Sequence, residues 1–291
     1  MPELPEVETI ARDLNRKIKG QTIVDFWTDW PRVVKLPSAR ILKRDIKGLR
    51  ILRVSRVGKN VLFHLSSGKM LLIHQKMTGH LMVGRWRITN QNKAEAITKG
   101  PLQEKVNQFV HAIFSLKGGD MVALSDMRKF ARIAFGDNKE ILSLPDLTKL
   151  GPDALASDLS REEFRERVSK RQKAIKATLM DPTVIAGIGN IYADDILWSA
   201  KIHPLMRAST LSKKQLDEIF THTQKILARA VKLRGTSVGD YRDASGRKGR
   251  YGSEVLVYRK TGSPCPRCNT LIKRTKVGQR SAHFCPNCQK L

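Results

Sequence analysis

The hydrophobic positions at the start of the chain follow a helical period. They recur every three or four residues, at Val7, Ile10, Ala11, Leu14 and Ile18. This spacing places them on one face of a helix. Proline suits the first helical position, and acidic residues favour the positive end of the helix dipole. The sequence therefore predicts an amphipathic helix that begins near Pro5, with Glu3 and Glu6 at its N-terminal end.

Between about residues 22 and 135 the pattern changes to short apolar runs, which are typical of β-strands. Turn residues separate the runs, and residues 117–120 have the composition of a hairpin turn. The polar segment 87–106 has no clear period, so we expect a loop there. We expect strands at residues 51–57, 61–65, 70–74, 109–116 and 121–124.

Beyond about residue 144 the pattern becomes helical again. Ser160 with Glu163, and Ser212 with Gln215, form capping-box patterns, and apolar residues at helical spacing follow both. Between these predicted helices lies a glycine-rich turn at residues 187–190, which either binds an anion or joins two helices tightly.

The segment 234–252 is rich in glycine, arginine, serine and aspartate, and its composition predicts a long mobile loop. Long loops in compact domains often act as lids. Taken together, the hydrophobic patterns predict an α+β fold, with a strand-rich first half and a helical second half.

The charge of the chain points to a polyanionic partner. Lysine and arginine number 54 against 27 acidic residues, which gives a formal net charge of +27 spread through the whole sequence. Such a field favours nucleic acid or an anionic membrane surface. No apolar run approaches the ~20 residues that span a bilayer, and the acidic N-terminus does not fit a secretory signal. We therefore expect a cytoplasmic protein that works on nucleic acid.

All four cysteines lie near the end of the chain, in two Cys-x-x-Cys pairs. They are Cys265, Cys268, Cys285 and Cys288, with sixteen residues between the pairs. This spacing is typical of a tetrahedral zinc site, and disulfide pairing is the alternative. Because a reducing compartment disfavours disulfides, we expect one zinc ion. Four thiolates leave no open position for water, which indicates a structural zinc.

The first residues carry candidate chemistry. If Met1 is removed, Pro2 has a free secondary amine, with the carboxylates of Glu3 and Glu6 close in sequence. An α-amino group has a pKa of ~8, against ~10.4 for lysine, so more of it is neutral at pH 7. A neutral amine attacks a sugar C1′ or an aldehyde, and a secondary amine then gives an iminium. The same residues also fit an ordinary helix start.

Several features occur in one order along the chain: an N-terminal Pro-Glu-Leu-Pro-Glu, a β-rich half, Gly-Ile-Gly-Asn-Ile-Tyr-Ala in a helical half, and the four cysteines. Together they closely resemble the bacterial formamidopyrimidine-DNA glycosylase family. The resemblance covers nearly the whole chain and is loosest at residues 85–108. It implies an N-terminal β-sandwich at 1–140, a linker at 141–152, a helix-two-turns-helix domain with a lesion-recognition loop at 153–262, and a zinc finger at 263–291.

The resemblance implies that duplex DNA lies in the cleft between the halves, and it implies catalytic roles. Pro2 would attack C1′ of the damaged nucleotide, and Glu3 would be the general acid/base for the sugar ring oxygen. Glu6 would support this network, and Lys59 would contact phosphate or base near the reaction. Arg280, on the zinc-finger hairpin, would bind the phosphates that flank the everted base. Without the resemblance, Glu6 is a helix-dipole residue and Lys59 an exposed lysine.

Three residues match the family positions that fill the space left by an everted base. A base inside a duplex cannot be reached by an enzyme, so it is extruded and the gap is filled. Met77 and Phe130 would wedge into the stack, and Arg128 would hydrogen-bond the orphaned base, which the family implies is cytosine. Without the resemblance, the interpretation of Met77 and Phe130 as core residues of strands is favoured.

Further residues match DNA-binding positions of the family. His74 and Asn190 match phosphate-binding positions near the lesion, although a structural role is favoured for either residue taken alone. The loop from Thr236 to Tyr241 matches the segment that closes over the everted purine through backbone amides. Tyr258 completes the predicted DNA-binding set.

The chain departs from the family pattern at three places. Residues 126–131 read Asp-Met-Arg-Lys-Phe-Ala, where the family usually has Asp-Pro-Arg-Arg-Phe-Gly. Asp195 stands where glutamate is usual, and only His111 remains of a common His-x-His pair. The backbone of the turn and the role of Asp195 are therefore left open, whereas Pro2 and Glu3 are intact.

We therefore expect a bifunctional DNA glycosylase and AP lyase of base excision repair. It would remove oxidised purines (8-oxoguanine and formamidopyrimidines) from double-stranded DNA through a Schiff base on Pro2, followed by β,δ-elimination. We expect a monomer that does not bind membranes. The alternatives are an endonuclease VIII-type glycosylase for oxidised pyrimidines and a non-catalytic zinc-ribbon DNA-binding protein. The void-filling residues argue against the first, and Pro2 with Glu3 against the second.

Overall fold

The computed structural model describes residues 2–291, and the chain divides into two compact units. The first unit contains the chain up to Thr148 and the segment Leu233–Gly252. The second unit contains Lys149–Lys232 and Ser253–Leu291. The sequence analysis placed residues 233–252 in the helical domain, whereas in the structure they pack with the N-terminal unit. The physical reason is a set of polar contacts with the first helix, described below.

The first unit contains a β-sandwich. Its strands are β1 (Ile23–Thr28), β2 (Val34–Leu36), β3 (Ile51–Val57), β4 (Asn60–Leu65), β5 (Lys69–His74), β6 (His80–Gly84), β7 (Trp86–Ile88), β8 (Ala94–Ala96), β9 (Val110–Leu116), β10 (Met121–Ser125) and β11 (Arg132–Asp137). One sheet has the order β1-β9-β10-β6, and the other has the order β2-β11-β5-β4-β3. Neighbouring strands pair antiparallel, apart from the parallel pair β2 and β11.

Helix α1 (Leu4–Ile18) packs its apolar face into the core of this sandwich. Val7, Ile10 and Leu14 are fully buried in the same cluster as residues of both sheets. Within one sheet, Phe26 of β1 and Phe114 of β9 are cross-strand partners, with their ring centroids 4.9 Å apart. The predicted helix and its buried face are confirmed. Shorter helices complete the unit: α2 (Ala39–Asp45), α3 (Asn138–Leu142) and α4 (Pro145–Thr148).

The strands expected from the sequence are present, but the expected loop at residues 87–106 is not a simple loop. Strands β7 and β8 form a small hairpin, and two 3₁₀ turns follow, at Pro101–Gln103 and Lys105–Asn107. Trp86 and Leu102 are buried in a separate apolar cluster and fix the segment to the sheet. Two isolated anchors in a polar segment create no periodic pattern, which is why the sequence did not indicate this structure.

The second unit is helical, with a small hairpin. Its helices are α5 (Arg161–Ser169), α6 (Ile175–Leu179), α7 (Asn190–Ser199) and α8 (Lys213–Lys232), and its strands β12 (Lys273–Val277) and β13 (Arg280–Phe284) pair antiparallel. Ser160 and Ser212 accept N–H groups of the first turns of α5 and α8, as their capping patterns predict. In the described part of the chain, no helix has both the length and the apolar character needed to cross a membrane.

Candidate active site

The N-terminus of α1 brings two buried carboxylates together. Glu3 precedes the helix as its N-cap, and the Glu6 side chain accepts the Glu3 backbone N–H at 2.8 Å. The other oxygen of Glu6 accepts the backbone N–H of Thr236 at 2.7 Å. Pro2, Glu3 and Glu6 are all buried. The carboxylate of Glu6 therefore joins the start of the helix to the segment that the sequence analysis assigned to lesion recognition.

Glycine is required where this segment passes Glu6. Gly235 has a φ of +80°, and a Cβ on this residue would lie 2.8 Å from a carboxylate oxygen of Glu6. Any side chain here would push the segment away from α1. Two residues further along α1, Glu8 accepts hydrogen bonds from Arg12 and Arg56. Burial would raise the pKa of Glu8, but these two guanidinium groups hold it below its ordinary value.

Arg56 carries this network to the turn that holds Lys59. Its guanidinium bonds Glu8 at 2.7 Å and the carbonyl of Gly58 at 2.8 Å, which fixes the β3–β4 turn to the helix. Gly58 adopts a φ of +57°, the left-handed conformation that this tight turn needs. Lys59 follows it and is partly buried. The first helix thus positions both the N-terminal residues and the turn with the candidate lysine.

His74 lies at the end of β5, where Asn60 and Arg132 of the neighbouring strands pair with it. Its Nδ1 accepts the backbone N–H of Lys76 at 2.9 Å, so the neutral ring carries its proton on Nε2. Burial lowers the pKa of His74 to about 3, and the charges of Lys76, Lys59 and Arg132 add to this effect. At neutral pH His74 is therefore an uncharged donor, suited to a phosphate oxygen.

The turn after β10 is organised by one buried carboxylate, Asp126. One of its oxygens accepts the Thr78 hydroxyl and, at 3.3 Å, the N–H of Arg128. The other accepts the N–H groups of Phe130 and Ala131, each at 2.7 Å. These bonds hold the turn even though methionine and alanine replace residues usual in the family. The turn therefore keeps its internal hydrogen bonds despite these sequence differences from the family.

Phe130 is exposed, not a core residue, and the Arg128 guanidinium lies 4.6 Å from its ring centroid. Lys129 between them has a φ of +54°, in the left-handed region. Met77 and Phe130 line one open cavity of about 400 Å³, together with Trp30 and Lys76. The structure thus brings the predicted wedge residues together at the surface.

The second unit holds the remaining predicted DNA-binding residues. Asn190 begins α7 directly after Gly189, which is the N-cap of that helix. Asp195, on the same helix, accepts the backbone N–H groups of Leu256 and Val257 at 3.0–3.2 Å. Burial raises the pKa of Asp195 to about 6. Although it is shorter than glutamate, Asp195 reaches the backbone of the segment that carries Tyr258.

The four cysteines form a cluster that fits a zinc ion. Their sulfur atoms all lie within 4.8 Å of one another, and neighbouring pairs are 3.4–4.0 Å apart. Tetrahedral coordination with Zn–S bonds of ~2.3 Å requires sulfur separations of about 3.8 Å. Four thiolates complete the coordination, so this is a structural zinc site. The zinc has no catalytic step to perform, and its chemistry is to hold the finger together.

The finger presents Arg280 on the tip of the β12–β13 hairpin, where the side chain is exposed. Behind the hairpin, the buried side chain of Asp194 on α7 accepts the N–H and the Nδ1 of His283 at 3.0 and 2.8 Å. Lys176 of α6, also fully buried, bonds the other oxygen of Asp194 at 2.7 Å and the carbonyl of Ser281. These bonds anchor the hairpin on the helices of its own unit.

This combination of a sandwich with buried N-terminal carboxylates, a helical unit and a four-cysteine finger defines a class of enzyme, the DNA-repair glycosylases of helix-two-turns-helix architecture. Three family models match the chain. They are described as formamidopyrimidine-DNA glycosylase N-terminal domain (residues 1–133), formamidopyrimidine-DNA glycosylase H2TH domain (150–242) and zinc finger found in FPG and IleRS (262–291). The chain belongs to the formamidopyrimidine-DNA glycosylase family. Members combine glycosylase activity with lyase activity at abasic sites, and the chain is an enzyme of this class.

Curated and solved relatives are similar over their whole length. The formamidopyrimidine-DNA glycosylase of Chloroflexus aggregans is 40% identical, with 100% of this chain and 99% of the relative covered. A Lactococcus lactis Fpg bound to DNA with an abasic site is 32% identical, with a TM-score of 0.86 and coverage of 99% and 100%. The same protein bound to DNA containing N7-benzyl-Fapy-dG is 33% identical, with a TM-score of 0.86 and full coverage of both chains.

The predicted site residues fall into two sets. The first unit contains Pro2, Glu3, Glu6, Lys59, His74, Met77, Arg128, Phe130, Thr236 and Tyr241, and the second unit contains Asn190, Tyr258, Arg280 and the four cysteines. The sequence analysis missed Arg132, which pairs with His74, and Asp126, which organises the wedge turn. No pattern in the sequence indicated Arg132, because β11 is a continuous buried run after this residue. Asp126 was named only as the first residue of the motif at 126–131, and nothing in the sequence indicated the backbone bonds that it accepts.

Proposed function

We propose that the enzyme excises oxidised purines, 8-oxoguanine and formamidopyrimidines, from double-stranded DNA and then cleaves the strand. The observation that carries this proposal is the carboxylate of Glu6. It holds both the N–H of Glu3 and the N–H of Thr236. The residues proposed for catalysis and the segment proposed for purine recognition are therefore fixed by one side chain.

The proposed chemistry begins at Pro2, once Met1 is removed. The nitrogen lone pair of Pro2 attacks C1′ and the glycosidic C1′–N bond breaks. The leaving base takes up a proton, and the Pro2 nitrogen loses its own N–H proton. Glu3, as a carboxylic acid, protonates the sugar ring oxygen, and the open ring becomes an iminium on Pro2. Loss of a C2′ proton then expels the 3′ phosphate, and a second elimination expels the 5′ phosphate. No oxidant or reductant is needed in this sequence.

Exposed residues of the first unit are proposed to help extrude the damaged base from the duplex. Met77 and Phe130 wedge into the stack, which partly offsets the cost of unstacking. Arg128 hydrogen-bonds the orphaned cytosine. The amides of Thr236 to Tyr241 close over the everted purine, and Tyr241 is fixed within the first unit by its buried hydroxyl.

Phosphate contacts complete the proposal. Lys59 and the uncharged His74 bind phosphates from the first unit. Asn190 and Tyr258 do so from the second unit, and Arg280 binds the phosphates beside the everted nucleotide in a charge-assisted fork. The protein is proposed to act as a monomer in the bacterial cytoplasm, with no membrane partner.

Borohydride trapping tests this function. A duplex with 8-oxoguanine opposite cytosine is incubated with the protein and borohydride, and the adduct is located by peptide mass spectrometry. We expect a covalent adduct on the Pro2 nitrogen that is nearly lost in Pro2→Gly and retained in the matched control Pro5→Ala. An adduct on a lysine, or none, contradicts the proposal. A parallel duplex with an oxidised pyrimidine decides against the endonuclease VIII-type alternative if the purine is excised faster.

A further inference from the structure

Arg234 lies between two buried carboxylates. Its guanidinium bonds Asp13, on helix α1, through Nη1 at 3.2 Å and also through Nη2. It bonds Asp243, in the segment 233–252, through Nε at 3.1 Å and Nη2 at 2.6 Å. Each carboxylate side chain is only 3% exposed. A single cation therefore links the catalytic helix to this segment, while Arg16 adds an exposed contact to Asp13.

The backbone at Arg234 adopts a conformation that side chains disfavour. Its φ is +66°, in the left-handed region where glycine is relaxed and other residues are strained. Such strain persists where surrounding contacts fix the residue. Here the fixing contacts are the two ion pairs, which require a guanidinium and would be lost with glycine.

The segment 233–251 is a loop with a closed neck. Arg250 donates its N–H to the Leu233 carbonyl at 2.8 Å, and Tyr251 donates to the Gly235 carbonyl at 3.0 Å. The strands of the neck lie so close that a Cβ on Gly249 would come within 2.3 Å of the Gly235 oxygen. Compact loops with joined ends are frequently functional.

Two contacts tie this neck to the same face of α1. Glu6 accepts the N–H of Thr236, and Asp13 accepts the guanidinium of Arg234. Glu6 and Asp13 are seven residues apart, which is two helical turns or roughly 10 Å along the helix axis. Two attachments separated in this way fix the direction of the loop as well as its position, which Glu6 alone cannot do.

The same guanidinium also fixes the other end of the stretch that follows the neck, because it bonds Asp243. One oxygen of Asp243 accepts the N–H groups of Ser245 and Arg247, at 2.8 and 3.0 Å, and the other accepts Arg234. The residues between the neck and this turn are 237–242. The contacts of Arg234 therefore fix both ends of this short stretch relative to helix α1, which begins at Leu4.

We propose that Arg234 is a positioning residue for recognition of the damaged base, because it fixes the purine-closing stretch relative to the catalytic helix. The inference rests on the proposed function. Closure over a base matters only while a base is present. Arg234 therefore serves excision, and it is dispensable for cleaving a strand at an abasic site that already exists.

The test compares two substrates with full-length variants. Single-turnover rates are measured on a duplex with 8-oxoguanine and on the same duplex with a preformed abasic site. In Arg234→Gln, excision falls on the order of 10- to 100-fold, the loss expected for a small misplacement, while abasic cleavage stays within about 3-fold of wild type. Arg234→Lys recovers part of the loss.

Two further variants distinguish loss of the Arg234 link from a general folding defect and from the loss of one positive charge. Asp13→Asn keeps the Arg234–Asp243 pair but weakens the tie to α1, and the same selective loss is expected. Lys248→Gln removes one exposed positive charge from the same loop and leaves both rates unchanged. The combination of Asp13→Asn with Arg234→Gln loses no more than the stronger single variant, because both act through one link.

Equal losses on both substrates, or no loss on either, would overturn the inference. If wild-type protein cleaves neither duplex, the proposed function fails. Amide hydrogen exchange then tests, without a substrate, whether Arg234 fixes the loop. In that measurement Arg234→Gln must speed exchange at residues 236–241 while the amides in the middle of α1 keep their protection. Unchanged exchange at 236–241 would overturn it.

Discussion

The two units hold their candidate site residues by different means. In the first unit, α1 is buried in a sandwich core, and buried carboxylates such as Glu6 and Asp126 bond backbone N–H groups at fixed positions. In the second unit, Arg280 stands on a short hairpin whose own apolar cluster is small and includes the cysteines themselves. Small folds that cannot bury enough apolar surface depend on metals. The comparison teaches that the size of the available core decides whether burial or a metal provides the rigidity.

The largest effect is expected from removing zinc, which should unfold the finger while the first unit stays folded. Zinc binding supplies an apparent ~10–16 kcal/mol to the folding of small fingers at pH 7, so a chelator or Cys285→Ser should unfold the hairpin. We expect affinity for a lesion duplex to fall by about tenfold or more, equivalent to ~1.4 kcal/mol. Zinc release, DNA binding and thermal unfolding of the first unit are the measurements.

In that experiment the first unit should keep its unfolding transition, because the buried networks described for residues 2–148 and 233–252 do not include the metal site. The exposed finger residue Lys290, changed to alanine, is the matched control and should retain zinc and binding. If the first unit unfolds together with the finger, the idea that burial stabilises the first unit and zinc stabilises the finger would be contradicted.

Asp126→Asn is expected to give the next largest effect. An amide has one oxygen and one NH₂ group, so in either orientation at least one backbone N–H of the turn loses its acceptor, at ~1–3 kcal/mol. We expect the first unit to lose ~1–3 kcal/mol of unfolding free energy in urea. Asp120→Asn, whose ion pair with Arg85 is more than half exposed on both sides, should change stability by less than ~0.5 kcal/mol. Equal losses of unfolding free energy in the two variants would show that burial of the carboxylate does not determine its contribution to stability.

His74 gives the first unit a pH dependence of its own. Because its folded pKa is about 3 and lies below the ordinary value of 6.5, the unfolded chain binds a proton first as pH falls. Stability is therefore full above pH 6.5 and declines towards pH 3, by ~2 kcal/mol at pH 5. His74→Gln should make this slope shallower in the urea transition of the first unit, and the slope that remains comes from His64 and His80, whose pKa values burial also lowers. His222→Gln, in the second unit, should leave the slope unchanged, and a slope as steep as that of wild type in His74→Gln would contradict the assignment.

The smallest effect is expected from an exposed charge in the first unit. Arg12 and Arg56 bond the same carboxylate of Glu8, but the Arg12 side chain is 69% exposed and that of Arg56 only 8%. Arg12→Ala should cost less than ~0.5 kcal/mol, whereas Arg56→Ala should cost several times more since it leaves Glu8 without its buried partner. Paired urea titrations check this, and similar losses would refute it.

Much of the fold could be predicted because local patterns and burial agree. The period of Val7, Ile10 and Leu14 predicted α1 and its buried face, and the serine caps predicted the starts of α5 and α8. The cysteine spacing predicted the zinc site, since tetrahedral coordination allows few alternatives. In each of these cases neighbours in sequence are also neighbours in space, or one ion imposes the geometry.

The rest depends on contacts between distant residues. Asp13 and Arg234 are far apart in sequence, and neither carries a local signal of the other. The hairpin at 86–96 depends on Trp86, whose partners belong to other strands. The lowered pKa of His74 arises from burial and from cations on three separate segments. No motif indicates such effects. The chemistry of a terminal proline made Pro2 a candidate nucleophile, but only the family resemblance favoured this role over a helix start and gave Glu3 its role.

The loop at 233–251 has one more consequence. The carbonyl of Ala244 accepts the N–H of Val83 at 2.8 Å, and Val83 lies on β6, an outer strand of its sheet. Unpaired outer strands are templates for aggregation between chains. The loop that contains the proposed base-reading stretch therefore also pairs with part of a sheet edge, so shortening it would expose that edge to other chains.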